Sequence, residues 1–334
     1  MSTFTAYPLR LTFGVRRYAF GARRIADALG KTGLPDGVVA ETWEVSDHDD
    51  EPGVVTDGPY AGRALRDLVR AFPDELVRPG WRGPHLPLLV KLLDASHRLP
   101  VHVHPDDAVA RARYGAPNGK DEAWHVVEAA HDAVVWAGVR PGVDRAALRA
   151  ACLAGDFDDV LLRYPVRAGD TVLVPGGVLH TFGPDTLIVE VQQTSDLSES
   201  VMPHDVYGRP LAPDAWAAAV DAALDIATSN TLPRPERGPE VVEDGLRRMV
   251  GCRGPRFVLE RWAFVGEVTA SPGEGGFATL TNLGGDLVVE GGGHTVPLER
   301  GASCLLPAAL GAVTLRGAVG DLVVCAVPRD GDAS

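Results

Sequence analysis

Lysine is almost missing from this sequence: of its 32 basic residues only Lys31, Lys91 and Lys120 are lysines. Arginine carries the generic surface charge, so a lysine marks a position where a compact ammonium group is wanted. Cysteine is sparse as well. Cys152, Cys252, Cys304 and Cys325 are scattered with no CxxC pair, which excludes a disulfide framework and a cysteine-bound zinc cluster. No apolar run is long enough to span a bilayer. The opening residues, MSTFTAYPLRLTFGV, lack a charged segment followed by a long apolar stretch and a cleavage site, so a cytoplasmic location is expected. Basic charge is in deficit, the net charge being −13, which opposes binding of nucleic acid or an anionic membrane over the whole surface. A small phosphorylated ligand in a local positive pocket is compatible with that balance.

What the chain does have is a recurrence of short apolar, β-branched segments separated by Gly, Pro and Asp turns, the pattern of an all-β barrel or sandwich. LPLLVKLLDA (86–95) and LPVHVHP (99–105) read as consecutive strands, and 123–129, 133–139, 170–176 and 185–193 continue the series. Helical periodicity is found at 63–71, at 145–153 with Asp144 as N-cap, and at 214–227 after Pro213. Residues 229–242, rich in proline and charge, read as a linker. Strands and glycine turns then resume over 256–328. The expected fold is mainly β: tandem jelly-roll-like β-barrels with helical insertions, a first domain at 1–235 and a second at 236–334. The second region of strands holds a single histidine, His294, and is expected to lack a metal site.

The chemistry gathers in the first region. His102 and His104 are two apart on a predicted strand, so both imidazoles project from one face. Glu122 opens another apolar run, and His180 ends PGGVLH, just past the strand at 170–176. Facing positions on neighbouring strands of a small barrel converge on one interior point. Three neutral imidazoles and a carboxylate suit a borderline divalent ion such as zinc, with positions left for water or substrate; iron, manganese, cobalt and nickel take similar sites. His125, three residues after Glu122, belongs on the opposite strand face. Lys91 and Lys120 flank the constellation, Lys120 on the same face as Glu122. Glu190 and Gln192 share a face on the strand after His180.

Several blocks together resemble one family. ETWEVSDH (41–48) with VVTDGPYAGRALRDLV (54–69), LLVKLLDASHRLPVHVHPDD (88–107), GKDEAWHVV (119–127) and GDTVLVPGGVLHTFGPDTLIVEVQQTSD (169–196) are similar to the type I phosphomannose isomerases of the cupin superfamily, in their short bacterial form. The resemblance implies cupin-type barrels and a zinc-dependent aldose–ketose isomerase that interconverts mannose 6-phosphate and fructose 6-phosphate through a cis-enediol. It implies one Zn2+ per chain on His102, His104, Glu122 and His180, with His102 where the family has glutamine. Lys91, Lys120 and Glu190 are then expected in catalysis, and Lys91, Lys120, Gln192 and Arg209 in substrate binding. The partner is a small phosphorylated sugar, with no nucleic acid and no membrane, and the chain is a monomer or homodimer.

Two departures stand against this pattern. The family's early Trp-Gly pair is here Phe20-Gly21. The arginine that follows the family's QQSSD block, here QQTSD (192–196), is replaced at Ser200 or its neighbour, and no arginine appears until Arg209. These leave open the same scaffold acting on a different sugar or sugar phosphate, or a metal-containing protein that binds sugar without turning it over.

Overall fold

The computed structural model describes residues 3–228, 231–273 and 275–328. A six-stranded antiparallel sheet occupies the middle of the molecule. Its order is Gly14–Arg16, Glu41–Val45, Leu88–Ala95, Thr186–Gln193, Glu122–Ala129 and Thr171–Val174. Alternation decides what each face meets. Lys91, Glu122 and Glu190 point to one side, together with Leu93, Trp124, Val126 and Ile188, which pack on the inner face of a second sheet. Val90, Leu92, Ala123, Leu187, Val189 and Val191 point to the other side and bury against Phe257, Leu259, Phe277, Val323 and Cys325 of the C-terminal sheet.

The second sheet has five strands, in the order Glu199–Ser200, His102–Val103, His180–Phe182, Val134–Val139 and Leu161–Pro165. The strand expected over 99–105 is only two residues long, because Pro100 and Pro105 bracket it and neither can donate to a ladder. The outer face of this sheet is covered by the helices Arg145–Ala154 and Pro213–Ile226. Asp144 caps the first of them, its Oδ1 accepting from Ala147 N at 2.8 Å, and Gly155 closes it in the left-handed conformation.

The C-terminal sheet has nine strands and takes in Leu9–Arg10 from the start of the chain, which pairs with Ser303–Leu306. The segment read as a linker is in part a strand. Glu240–Glu243 pairs with Leu246–Arg253 through the Asp244-Gly245 turn, where both residues have positive φ, 49° and 80°. A two-residue Asp-Gly loop of that kind specifies a hairpin, and it outweighed the local proline and charge content. Residues 229 and 230 of that segment lie outside the described residues. The mainly β expectation holds, but among the described residues none of the three sheets closes into a barrel: two are open paths, and the C-terminal sheet branches at Val313–Ala326, which also pairs with Leu287–Gly291. No described helix is long and apolar enough to cross a membrane.

Lys31, the first of the three lysines, is buried at the contact between the N-terminal region and the C-terminal sheet. Its Nζ lies 2.9 Å from Glu44 Oε2, donates to Gly301 O at 2.9 Å, and stands over the Phe13 ring. Removing one partner of a buried pair strands the other charge. Lys31→Ala is therefore expected to cost about 3 kcal/mol, read as a lower urea midpoint at unchanged m-value. Lys31→Met combined with Glu44→Leu should recover most of that loss, because no charge is left uncompensated.

Candidate metal centre

His102 and His180 stand directly opposite each other on paired strands. Their Nε2 atoms are 3.0 Å apart, and the nearest donor atoms of His102, His104 and His180 all lie within 4.8 Å of one another. The outer nitrogen of every ring is held by a backbone carbonyl: His102 Nδ1 at 2.7 Å from Pro100 O, His104 Nδ1 at 2.8 Å from Leu197 O, and His180 Nδ1 at 2.9 Å from Val178 O. A carbonyl only accepts, so each Nδ1 carries a hydrogen, and Nε2 is the ring atom that each histidine turns toward the others. Burial, then the neighbouring His180 and His104, hold His102 well below the ordinary histidine range. Burial and Lys120 bring His104 down to about 4. Three ring nitrogens brought together in this way form a candidate site for a metal ion.

Glu122 faces the three histidines from the six-stranded sheet. Its Oε1 is 3.2 Å from His180 Nε2 and accepts from Trp124 Nε1 at 3.0 Å; its Oε2 is 3.2 Å from His104 Nε2. Burial opposes ionisation of this carboxyl, but Lys120, His104 and His180 outweigh it and hold Glu122 well below the usual carboxylate range. The two nitrogens and two oxygens so arranged fit a divalent ion of the zinc type, with His102 as a third nitrogen.

Lys120 Nζ sits 2.9 Å from His104 Nε2 and 2.5 Å from Glu122 Oε2, and 4.0 Å from Glu190 Oε1. Lys91 Nζ lies 3.5 Å from both Glu41 Oε2 and Glu190 Oε1, over the indole of Trp43. Burial disfavours its ammonium, yet Glu41 and Glu190 raise its pKa above the ordinary lysine value. All three lysines of the chain are thus buried and paired with carboxylates. Glu190 is pushed up to about 7, chiefly by burial and then by Glu122, and its Oε1 has no hydrogen-bond partner. A buried carboxyl poised near neutrality, beside two ammonium groups, has the properties of a general base.

A cavity of about 250 Å³ opens onto these groups, lined among others by Lys91, His102, His104, Lys120, Glu122 and Glu190. Glu41, Asp196 and Tyr18 line it too and were not singled out in the sequence. Glu41 accepts from Trp43 Nε1 at 2.9 Å, so the alternation E-x-W within ETWEV was the available signal. Asp196 and Tyr18 lie outside the regular strands, and nothing periodic marks them.

The catalytic-domain profile of type I phosphomannose isomerase matches residues 9–130, and the cupin-domain profile of mannose-6-phosphate isomerase matches residues 254–327. Mannose-6-phosphate isomerase of Streptococcus mutans is 31% identical over 266 residues, 79% of this chain and 81% of that protein. The chain belongs to the type I phosphomannose isomerase family. The crystal structure of mannose 6-phosphate isomerase from Bacillus subtilis superposes with a TM-score of 0.82 at 27% identity, covering 95% of this chain and 99% of that one. A mannose 6-phosphate isomerase bound with zinc and yttrium shares the fold, with a TM-score of 0.72 at 16% identity over 97% of this chain and 100% of that one.

In this phosphomannose isomerase homologue two of the expected site residues stand apart from the cluster. Gln192 is buried on the strand beside Glu122, but its amide donates to Gln193 O at 3.1 Å and Ser195 O at 2.6 Å, and it is absent from the cavity lining. Arg209 is held on its own loop: its Nε lies 2.6 Å from Asp205 Oδ2, its guanidinium stacks on Tyr207, and its side chain is 73% exposed. His204 bonds Asp205 O on that same loop. His125 takes the opposite strand face as expected, against Thr171 Oγ1 at 3.0 Å.

Proposed function

We propose that this chain interconverts mannose 6-phosphate and fructose 6-phosphate, with a zinc ion held by His102, His104, Glu122 and His180. The observation that carries the metal is the convergence of three imidazole lone pairs whose outer nitrogens are fixed by carbonyls. A zinc ion held by these residues would supply a Lewis acid for the reacting oxygens of the sugar. Glu190 is the base: its carboxylate removes the C2 proton of the open-chain aldose and returns it to C1, while a proton passes from the O2 hydroxyl to O1, by way of a cis-enediol. Lys91 stabilises the ionised form of Glu190 in its buried surroundings, and both lysines offer positive charge to the oxyanion that develops as the proton leaves. The open substrate side of the cavity, bounded by Tyr18, Phe20 and Val206, receives the rest of the sugar.

The decisive experiment is a coupled assay on metal-replete protein. Mannose 6-phosphate should be consumed as fructose 6-phosphate forms, and activity should fall on chelation and return with zinc. Absence of turnover in protein of full metal content would overturn the substrate assignment. A different sugar or sugar phosphate is the second reading, favoured because no arginine is among the described residues lining the cavity.

A further inference from the structure

A second cleft, of about 420 Å³, lies where residues 78–87 meet residues 255–256 and 327–328 beside the C-terminal sheet. It shares no lining residue with the metal cavity. Its apolar wall is the indole of Trp81 with five prolines, whose fixed φ favours a preformed shape. The indole is held in place: its Nε1 donates to His85 O at 3.2 Å, and a Cβ on Gly83 would fall 2.2 Å from the ring. Most polar groups of the cleft are spent on one another. Gln193 Oε1 accepts from Asp121 N at 2.9 Å and its Nε2 donates to Asp107 Oδ1 at 3.1 Å, while the Asn118 amide donates to Gly119 O and Thr194 O. What remains for a ligand is charge. Arg78 stands over the Trp81 ring, and Arg256, 44% exposed, gives one of its five N–H groups to Asp107 Oδ2 at 2.5 Å. Two guanidiniums against the carboxylate of Asp107 make a net positive cleft on a chain of net charge −13. Such a site complements an organic anion: a ring packs on the indole and the prolines, and the charged head takes charge-assisted hydrogen bonds from guanidinium N–H groups.

Arg256 also reaches the metal centre through the backbone. Asp107, which it holds, accepts from Gly119 N through Oδ1 at 2.8 Å, and Gly119 precedes Lys120, the partner of Glu122 and His104. We propose that this cleft is an effector site for a small organic anion, an apolar ring bearing a carboxylate or a phosphate, whose hold on Arg256 loosens the Asp107 brace behind Lys120.

The test is titration calorimetry on the zinc-loaded full chain with benzoate, phenyl phosphate and the uncharged benzyl alcohol. At least one anion should bind about tenfold more tightly than the alcohol; equal affinities, or no binding, overturn the proposal. Trp81 lines no part of the metal cavity, so Trp81→Ala should keep the ion and the basal activity while weakening the anion by about tenfold. An affinity unchanged in Trp81→Ala places the anion on the zinc and overturns the site. In the parent, a saturating anion should lower kcat by about fivefold with KM for mannose 6-phosphate little changed. A rise in KM alone is competition at the metal cavity, and that result or an unchanged rate overturns the effector role. Arg256→Gln should weaken the anion likewise and lower kcat without it, again at constant KM; an unchanged kcat there overturns the link through Asp107. If mannose 6-phosphate is not isomerised, the substrate reading falls by itself, and the affinities of the parent and of the two variants decide the site.

Discussion

Replacing His180 with alanine should empty the metal site and lower isomerase activity by roughly 10³-fold or more, the loss of several kcal/mol of charge stabilisation. His180 lies 3.0 Å from His102 Nε2 and 3.2 Å from Glu122 Oε1. It is also the central one in the architecture, since its strand pairs with the His102 strand on one side and Val134–Val139 on the other. Those backbone pairings do not depend on the ring, so the sheet should survive the substitution. The measurement is metal content by elemental analysis, about one ion per chain in the parent and near none in the variant. A circular dichroism spectrum matching the parent excludes unfolding as the cause. His131 is exposed and remote from the described donors, so His131→Ala should keep the ion. Full metal content in His180→Ala would sink the assignment of this cluster.

The same positions show how far the sequence could be read. The HxH pair, Glu122 and His180 were legible because strand alternation and short spacing fix which side chains share a face. The scarcity of lysine was informative for a related reason: each of the three proved to be buried against a carboxylate. What alternation cannot say is where a side chain goes once it leaves the strand. Gln192 shares its face with Glu190, yet its amide is drawn to the carbonyls of the turn that follows. Arg209 sits on a loop whose path is set by the Asp205 carboxylate and by Val206 O accepting from Ala19 N, contacts far apart in sequence or free of any period. Asp196 and Tyr18 reach the cavity for the same non-periodic reasons. The hairpin at 240–253 was legible in principle, from Asp244-Gly245 shortly after Val241-Val242, but proline and charge upstream masked it.

Glu190→Gln should lower kcat by roughly 10²- to 10⁴-fold with KM little changed, because the amide keeps the shape of the carboxylate and loses its capacity to take a proton. The loss alone would not distinguish a base from a packing residue, and the pH behaviour does. Burial, followed by Glu122, raises Glu190 from its ordinary 4.5 to about 7 in the metal-free protein. A carboxyl whose folded pKa exceeds its unfolded one favours folding fully below the unfolded value, and that advantage is lost as pH rises through the folded value. The window of loss therefore runs from about 4.5 to about 7. Above it the parent carries a buried negative charge that the glutamine variant lacks. Lys91 still faces Glu41 at 3.5 Å and Lys120 still faces Glu122 in that variant, so neither ammonium is stranded. Metal-free Glu190→Gln should accordingly match the parent in thermal stability near pH 5 and exceed it at pH 8 to 9, while remaining almost inactive when loaded with zinc. In the loaded parent the cation favours the ionised carboxylate, which moves the acid limb of kcat/KM to or below the metal-free value. A variant that stays active, or one that loses stability at high pH, would show that Glu190 is held for its pairing with the lysines and not for proton transfer.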